Sequence, residues 1–276
     1  MSRHWFLTGA SSGIGRHLAE IILASGDDLT ATVRRPETLD DLAARYGDQL
    51  VVERLDVTVK GDIAPVVQRA EARRPVDVLV NNAGGGIIGA TEEFSDADIE
   101  GQISLNLLAP VHVTRAFIPA MRTRQAGRII QISSASGQGS LPTSSLYHAA
   151  KWGLEGFSEC LRQELEGFGV FVTLIEPGGA RTSFSRNLQY APANPAYQDT
   201  PAGQIRAMFE NAGDELYTLD PQKIAHRIFD TATSEKPPLR VALGGDAFGV
   251  IQAALKGRLS ALEAQESLAR SVAFDS

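Results

Sequence analysis

The sequence predicts an α/β fold, a doubly wound parallel sheet of about seven strands with helices on both faces, built as a single domain over residues 1–276. Three observations carry that expectation. Short runs rich in Val, Ile and Leu recur along the chain, longer amphipathic stretches separate them, and no internal repeat, low-complexity tract or linker-like composition shift divides the sequence. Strands alternating with helices form right-handed βαβ units, which lay the strands parallel in one sheet and cover both its faces.

In order, "WFLTG" at 5–9 reads as the first strand and "TGASSGIG" at 8–15 as a turn into the first helix. Further strands are expected at "LTATV" 29–33, "LVVERLDV" 50–57, "VDVLVNNAG" 76–84, "RIIQISS" 128–134 and "VFVTLIEP" 170–177. An amphipathic helix containing Tyr147 runs to about Phe168. Residues 183–215, with Pro192, Pro195 and Pro201, make a long polar connection beyond the carboxyl end of a strand, where a lid is expected. Asp220 as N-cap and Pro221 at the first helical position start another helix. "RVALGG" at 240–245 is the seventh strand, and a helical extension follows over about 246–276, its apolar positions spaced for packing on the sheet or on another subunit.

Composition narrows the function. Hydrophobic residues make up 43% and charged residues 21%, the balance of a globular protein with a sizeable core. The net charge of −7 and the lack of a dense Lys/Arg block argue against nucleic acid as a partner. With no apolar segment of signal-peptide or membrane-spanning length, the protein is read as cytoplasmic and not membrane-bound. Cys160 is the only cysteine, which rules out an internal disulfide, and it is expected to be a small buried apolar residue. His4, His17, His112 and His226 are scattered without ligand spacing, and no metal is expected.

The glycine-rich turn carries the first chemistry. Gly9, Gly13 and Gly15, with Ser11, Ser12 and Ile14 between them, would let the backbone approach a pyrophosphate at a helix amino terminus. The end of the second strand then selects the dinucleotide. An acid there would bind the ribose hydroxyls of NAD, whereas a guanidinium grips the 2′-phosphate of NADP. The sequence reads "ATVRRPE", so NADP (NADPH) is favoured over NAD, with Arg34 as the first clamp and Arg16 as its helper. The bland rival is that these arginines are merely solvated.

Tyr147 and Lys151, in "YHAAK", lie four residues apart and therefore on one helical face. Together with TGxxxGIG at 8–15, Asp56, NNAG at 81–84, Asn106, Ser134 and PGxxxT at 177–182, they give a chain that resembles the short-chain dehydrogenase/reductase family over roughly residues 3–245. The resemblance implies a Rossmann fold and an NADP-dependent oxidoreductase acting on a small-molecule carbonyl/alcohol pair. It makes Tyr147 the general acid/base, Ser134 the hydroxyl on the substrate carbonyl, Lys151 the cation beside the tyrosine and the nicotinamide ribose, and Asn106 part of a water-linked proton relay built on a local helix distortion. It sets Asp56 and Val57 beside the adenine, Asn82, Ala83 and Gly84 beside the adenosine ribose, and Pro177, Gly178 and Thr182 near the nicotinamide. A homodimer or homotetramer is expected on the same ground.

Physical chemistry adds its own expectation for the tyrosine. A free phenol titrates near 10, so a base at neutral pH needs that value lowered, and Lys151 and the nicotinamide charge favour phenolate. A depression of about three units takes about 4 kcal/mol. Ser133 competes with Ser134 but lies fourteen residues from Tyr147 instead of the family's thirteen. His148, adjacent to Tyr147, faces elsewhere on the helix and is not expected to be a base. Leu141, Phe184, Met208 and Phe209 are candidate walls of an apolar pocket, pointing to a lipophilic ketone, aldehyde or alcohol. Two other readings compete: a catalytically silent NADP-sensing protein, and a nucleotide-sugar epimerase or dehydratase. The intact Tyr147 and Lys151 count against the former, the TGxxxGIG spacing and short lid against the latter.

Overall fold

A computed structural model describes residues 2–211 and 213–274. Ala212 of the expected lid and residues 275–276 of the expected tail lie outside the described residues, as does Met1. The strands are β1 (His4–Thr8), β2 (Asp28–Val33), β3 (Leu50–Arg54), β4 (Val78–Asn81), β5 (Ile87–Ile88), β6 (Gly127–Ile132), β7 (Val170–Pro177), β8 (Gln189–Tyr190) and β9 (Arg240–Leu243). Seven of them form one sheet in the order β3-β2-β1-β4-β6-β7-β9, and every pairing in it is parallel. This is the doubly wound Rossmann arrangement: strand order reverses between β1 and β4, which opens a crevice at the carboxyl ends of the strands. Several expected strands ended too late. Asp56, Asn82 to Gly84 and Ser133–Ser134 lie in the loops beyond β3, β4 and β6, at the edge of that crevice.

Alternation of side chains across the sheet feeds two cores. Trp5, Leu7, Val78, Val80 and Ile130 face α1 (Gly13–Ala24) and α9 (Pro221–Thr233), while Phe6, Leu79 and Ile129 face the other way. There they meet α3 (Lys60–Arg73), α5 (Ala109–Arg124) and α6 (Ser145–Leu165). Trp5 stacks on Phe229 at 5.3 Å between ring centroids, and Phe6 meets Phe117 edge-on at 4.8 Å. Each such pair adds about 1 kcal/mol beyond the area it buries. With both faces covered, strands such as β1 are buried from end to end, which is why they read as continuous apolar runs.

The remaining helices are α2 (Asp40–Tyr46), α4 (Asp96–Ile103), α7 (Ser183–Arg186), α8 (Pro201–Glu210), α10 (Gly245–Glu263) and α11 (Glu266–Arg270). The expected lid is thus largely regular. β8 in it pairs parallel with β5, and α7 and α8 flank that pair. The tail is helical, as its pattern suggested, but it packs less than expected. Ala247 and Ile251 of α10 are buried, whereas Phe248, Leu255, Leu259 and Leu262 are exposed. Cys160, expected in the core, is exposed on α6; the positions facing the sheet are Lys151, Leu154, Glu155, Ser158, Leu161 and Leu165. Among the described residues no helix is long and apolar enough to cross a membrane, and no cluster of His, Cys, Asp or Glu is placed to hold a metal ion.

Candidate active site

The glycine turn is built by exclusion. Gly9 and Gly13 have φ of 70° and 54°, in the left-handed region. A Cβ on Gly15 would lie 2.3 Å from the Gly9 carbonyl oxygen and 2.4 Å from Asn82 Nδ2, so only glycine fits. Thr8 Oγ accepts the backbone N–H of Asn82 and Ala83 at 3.0 and 3.1 Å, and Asn82 Nδ2 donates to the carbonyls of Thr8 and Gly9 at 3.0 Å each. The NNAG segment therefore clamps the turn. Ser12, the N-cap of α1, makes no side-chain capping bond, and the first helical turn carries no acid, so its N–H groups and positive dipole end suit an anion. Ser12 Oγ instead accepts from Ser183 at 2.8 Å, and Thr182 approaches Gly13, closing the turn from the other side. These residues fit a pyrophosphate.

Arg34 is exposed at the end of β2, and its charge helps hold the Asp56 carboxyl below its usual range, after the hydrogen bond from Thr58. Asp56 accepts from the Thr58 hydroxyl at 2.6 Å, and Val57 beside it is buried. Arg16 does not assist Arg34. Its guanidinium donates to Glu20 at 2.8 Å and makes a two-nitrogen contact with Asp41, bonds that raise its pKa and leave its charge already matched. Committed to Glu20 and Asp41, Arg16 does not fill the helper role expected of it beside Arg34.

Tyr147 and Lys151 do share a face. Lys151 Nζ lies 5.6 Å from the tyrosine ring centroid and donates to the Ile132 carbonyl at 2.8 Å. Lys151 is 5% exposed; burial brings its pKa down to about 8, and the charge of Glu155 opposes that fall. The phenol departs from expectation. Burial pushes it up to about 12, and the neighbouring Ser134 hydroxyl pulls the other way. Ser134 and Ser133 have different neighbours: the Ser134 hydroxyl acts on Tyr147 and accepts the Ser136 N–H at 3.1 Å, while Ser133 Oγ donates to Glu155 at 2.5 Å. His148 turns away and engages the Ser144 carbonyl through Nδ1 at 2.8 Å.

Asn106 sits in a π-helical turn, Ser104–Leu108, between α4 and α5. Ala109 N–H reaches back five residues to Ser104, and Pro110 has no N–H to give the Asn106 carbonyl its ordinary partner. The Asn106 side chain, 1% exposed, donates to the carbonyls of Gly85 at 3.0 Å and Gln102 at 3.3 Å. It is thereby fixed against the segment that follows NNAG.

Over Tyr147 lies Phe184 of α7, at 5.8 Å between ring centroids. Of the expected wall residues, Leu141, Phe184 and Met208 are exposed and Phe209 is half-buried, and Phe184 is the one whose ring meets that of the tyrosine. Three features had no short-range signal. Thr143 has φ of 68°, a strained value for a β-branched residue, and its carbonyl accepts from Gly89 at 2.8 Å, tying β5 to the start of α6. Asp246 of α10 accepts from the Gly179 backbone at 2.7 Å and holds the Pro177–Gly178–Gly179 turn. Glu155 and Glu176 are buried side by side behind Lys151.

With this geometry in view, comparison with known proteins is decisive. The family model "short chain dehydrogenase" matches residues 3–192. This chain belongs to the short-chain dehydrogenase family. The crystal structure of a short-chain dehydrogenase from Streptomyces avermitilis superposes with a TM-score of 0.89 at 38% identity, covering 99% of both chains. Oxidoreductase BOA17 of Botryotinia fuckeliana is 35% identical over 90% of this chain and 90% of its own length. Human retinol dehydrogenase 8 is 34% identical over 85% of this chain and 79% of its own. A metagenomic short-chain oxidoreductase solved with NADP matches at 27% identity and a TM-score of 0.70, over 87% of this chain and 96% of its own. The protein is an oxidoreductase of this family, and a nicotinamide cofactor suits its glycine turn.

Proposed function

We propose that the protein interconverts a lipophilic carbonyl compound and its alcohol with NADP as the preferred cofactor. The observation that carries this reading is the convergence of Tyr147, Ser134 and Lys151 beside the strand-order switch, with the Phe184 ring tilted against Tyr147 at 5.8 Å. The dinucleotide would lie along the Gly9–Gly15 turn, Asn82–Gly84 and the Pro177–Thr182 loop, with its nicotinamide at that loop, and when bound it supplies the hydride. Tyr147 gives its proton to the substrate oxygen while Ser134 donates a hydrogen bond to the same atom. Both act where negative charge grows in the transition state. The phenol is protonated at neutral pH and holds the proton that reduction needs, although its rise to about 12 makes it a weaker acid than a free tyrosine. Lys151 then lowers the cost of the phenolate left behind, and Asn106 orders the segment through which a replacement proton arrives.

The arginine pair Arg34–Arg35, with no acid at the end of β2, supports the preference for a 2′-phosphate. Segment 183–215 acts as the lid: β8 zips onto β5, and Arg206 of α8 bonds the buried Glu93 at 3.3 Å and the Ala191 carbonyl at 2.8 Å. Phe184 and the names of relatives such as retinol dehydrogenase 8 favour a hydrophobic substrate. The test is NADPH consumption across apolar ketones and aldehydes, with NADH and the Arg34→Asp variant as controls. The variant is expected to lose at least about tenfold in NADPH affinity and little in NADH affinity. Equal losses for the two nucleotides would remove the phosphate clamp.

A further inference from the structure

Behind the Tyr147–Lys151 face lies a polar knot that the reaction as written does not use. Glu155, one helical turn beyond Lys151 on α6, and Glu176, the last residue of β7 before Pro177, are 5% and 2% exposed. Ser133 Oγ donates to Glu155 Oε1 at 2.5 Å, and Arg240 Nε of β9 donates to Glu155 Oε2 at 2.9 Å. Gln138 Nε2 donates to Glu176 Oε1 at 2.6 Å, and the Arg240 guanidinium lies 3.7 Å from the same oxygen. Arg240 also reaches Glu159 at 2.8 Å. The knot takes one member from beside each working segment: Ser133 precedes Ser134, Glu155 follows Lys151, and Glu176 precedes the Pro177–Gly178 turn.

We propose that Glu155 is a positioning residue for Lys151, its buried carboxylate keeping the ammonium protonated in the cleft, while Glu176 carries the proton that lets the two carboxyls stay buried together. Two adjacent carboxylates cannot both ionise cheaply in a desolvated pocket, and one guanidinium shared three ways does not neutralise them. Burial and the neighbouring Glu155 raise the Glu176 carboxyl well above its usual range. Burial disfavours the charge on Lys151, whose ammonium donates to the Ile132 carbonyl, and Glu155, one turn along the same buried face of α6, favours it. The charged groups facing the pair are Lys151 and Glu159 on α6 and Arg240 on β9; from α10, Asp246 holds the Gly179 turn and Arg258 bonds the Gln138 carbonyl.

The inference rests on the role given to Lys151 above, so its test is read without turnover. Lys151 is one of five lysines, and lysine-selective 13C NMR follows its titration directly. Glu155→Gln is expected to lower the Lys151 midpoint by roughly half a pH unit or more. Glu176→Gln, whose amide can donate to Glu155 as the protonated acid does, is expected to move it less. In the unaltered protein, infrared difference spectra between about pH 6 and about pH 9 should show a protonated carboxyl that titrates and is missing in Glu176→Gln. An unmoved Lys151 midpoint in folded Glu155→Gln, or no titrating carboxyl in the unaltered protein, overturns the proposal. Absence of turnover with every carbonyl tried would instead unseat the catalytic reading and leave these titrations as they are.

Discussion

The glycine-turn side of the crevice and the side of segment 183–215 are held by different means. Around the Gly9–Gly15 turn, backbone and buried side chains leave no slack: Thr8, Asn82 and Gly15 interlock within hydrogen-bond or contact distance. Across the crevice, segment 183–215 is held by a two-residue strand pair, by Ala191 buried beside Ile87 and Phe94, by bonds from Arg206 and Asn194 to Glu93 and by the Ser183–Ser12 contact, while Phe184 and Tyr190 stay exposed. A rigid wall fixes a cofactor common to many enzymes, and a lightly tethered one is free to vary with substrate. Disturbing the first should therefore cost far more than disturbing the second.

Gly15→Ala puts a Cβ against the Gly9 carbonyl and is the sharpest attack on the rigid side. NADPH affinity should fall by about ten- to a hundredfold, the equivalent of 1–3 kcal/mol of overpacking. A fluorescence titration checks it, and an affinity within about twofold of the unaltered protein's would mean the turn has room. Arg206→Ala is the matching cut on the lid side. It leaves Glu93 buried without its guanidinium, and we expect KM for an apolar carbonyl to rise by roughly five- to tenfold. NADPH affinity should stay unchanged; a parallel loss of nucleotide binding would erase the distinction between the two sides.

A smaller effect comes from the boundary between them. The Glu176 carboxyl is raised to about 7 in the folded protein from an ordinary value of 4.5, so the native state holds the extra proton between those values. Its contribution to stability is complete below about 4.5 and is lost as pH rises through about 7, by roughly 1–3 kcal/mol. Melting temperature against pH should show that decline, and Glu176→Gln should flatten it. The smallest effect is expected at Leu259 on the exposed face of α10, where Leu259→Ser should change stability by less than about 0.5 kcal/mol.

Legibility in the sequence follows the same division. The strand-helix alternation, the glycine turn and the Tyr147–Lys151 spacing are periodic or local signals, so they could be read directly. The distortion at Asn106 came from resemblance, and Pro110 supplies its physical reason. What escaped was decided by partners far along the chain. Asp41 captures Arg16 from 25 residues away, Asp246 reaches Gly179 across 67 residues, and Arg240 meets Glu155 across 85. Neither the raised phenol of Tyr147 nor the surface placement of Cys160 is written in residue type; both depend on which helical face the fold buries.

The central claim is that Tyr147 is the proton donor of a site whose nucleotide grip is independent of it. The measurement that meets it most directly is paired: NADPH affinity and carbonyl reduction in Tyr147→Phe. Affinity should remain within about threefold of the unaltered protein while turnover falls by roughly a hundred- to ten-thousandfold, the contribution of a positioned acid. Turnover within a few-fold of the unaltered protein, with NADPH bound normally, would contradict it.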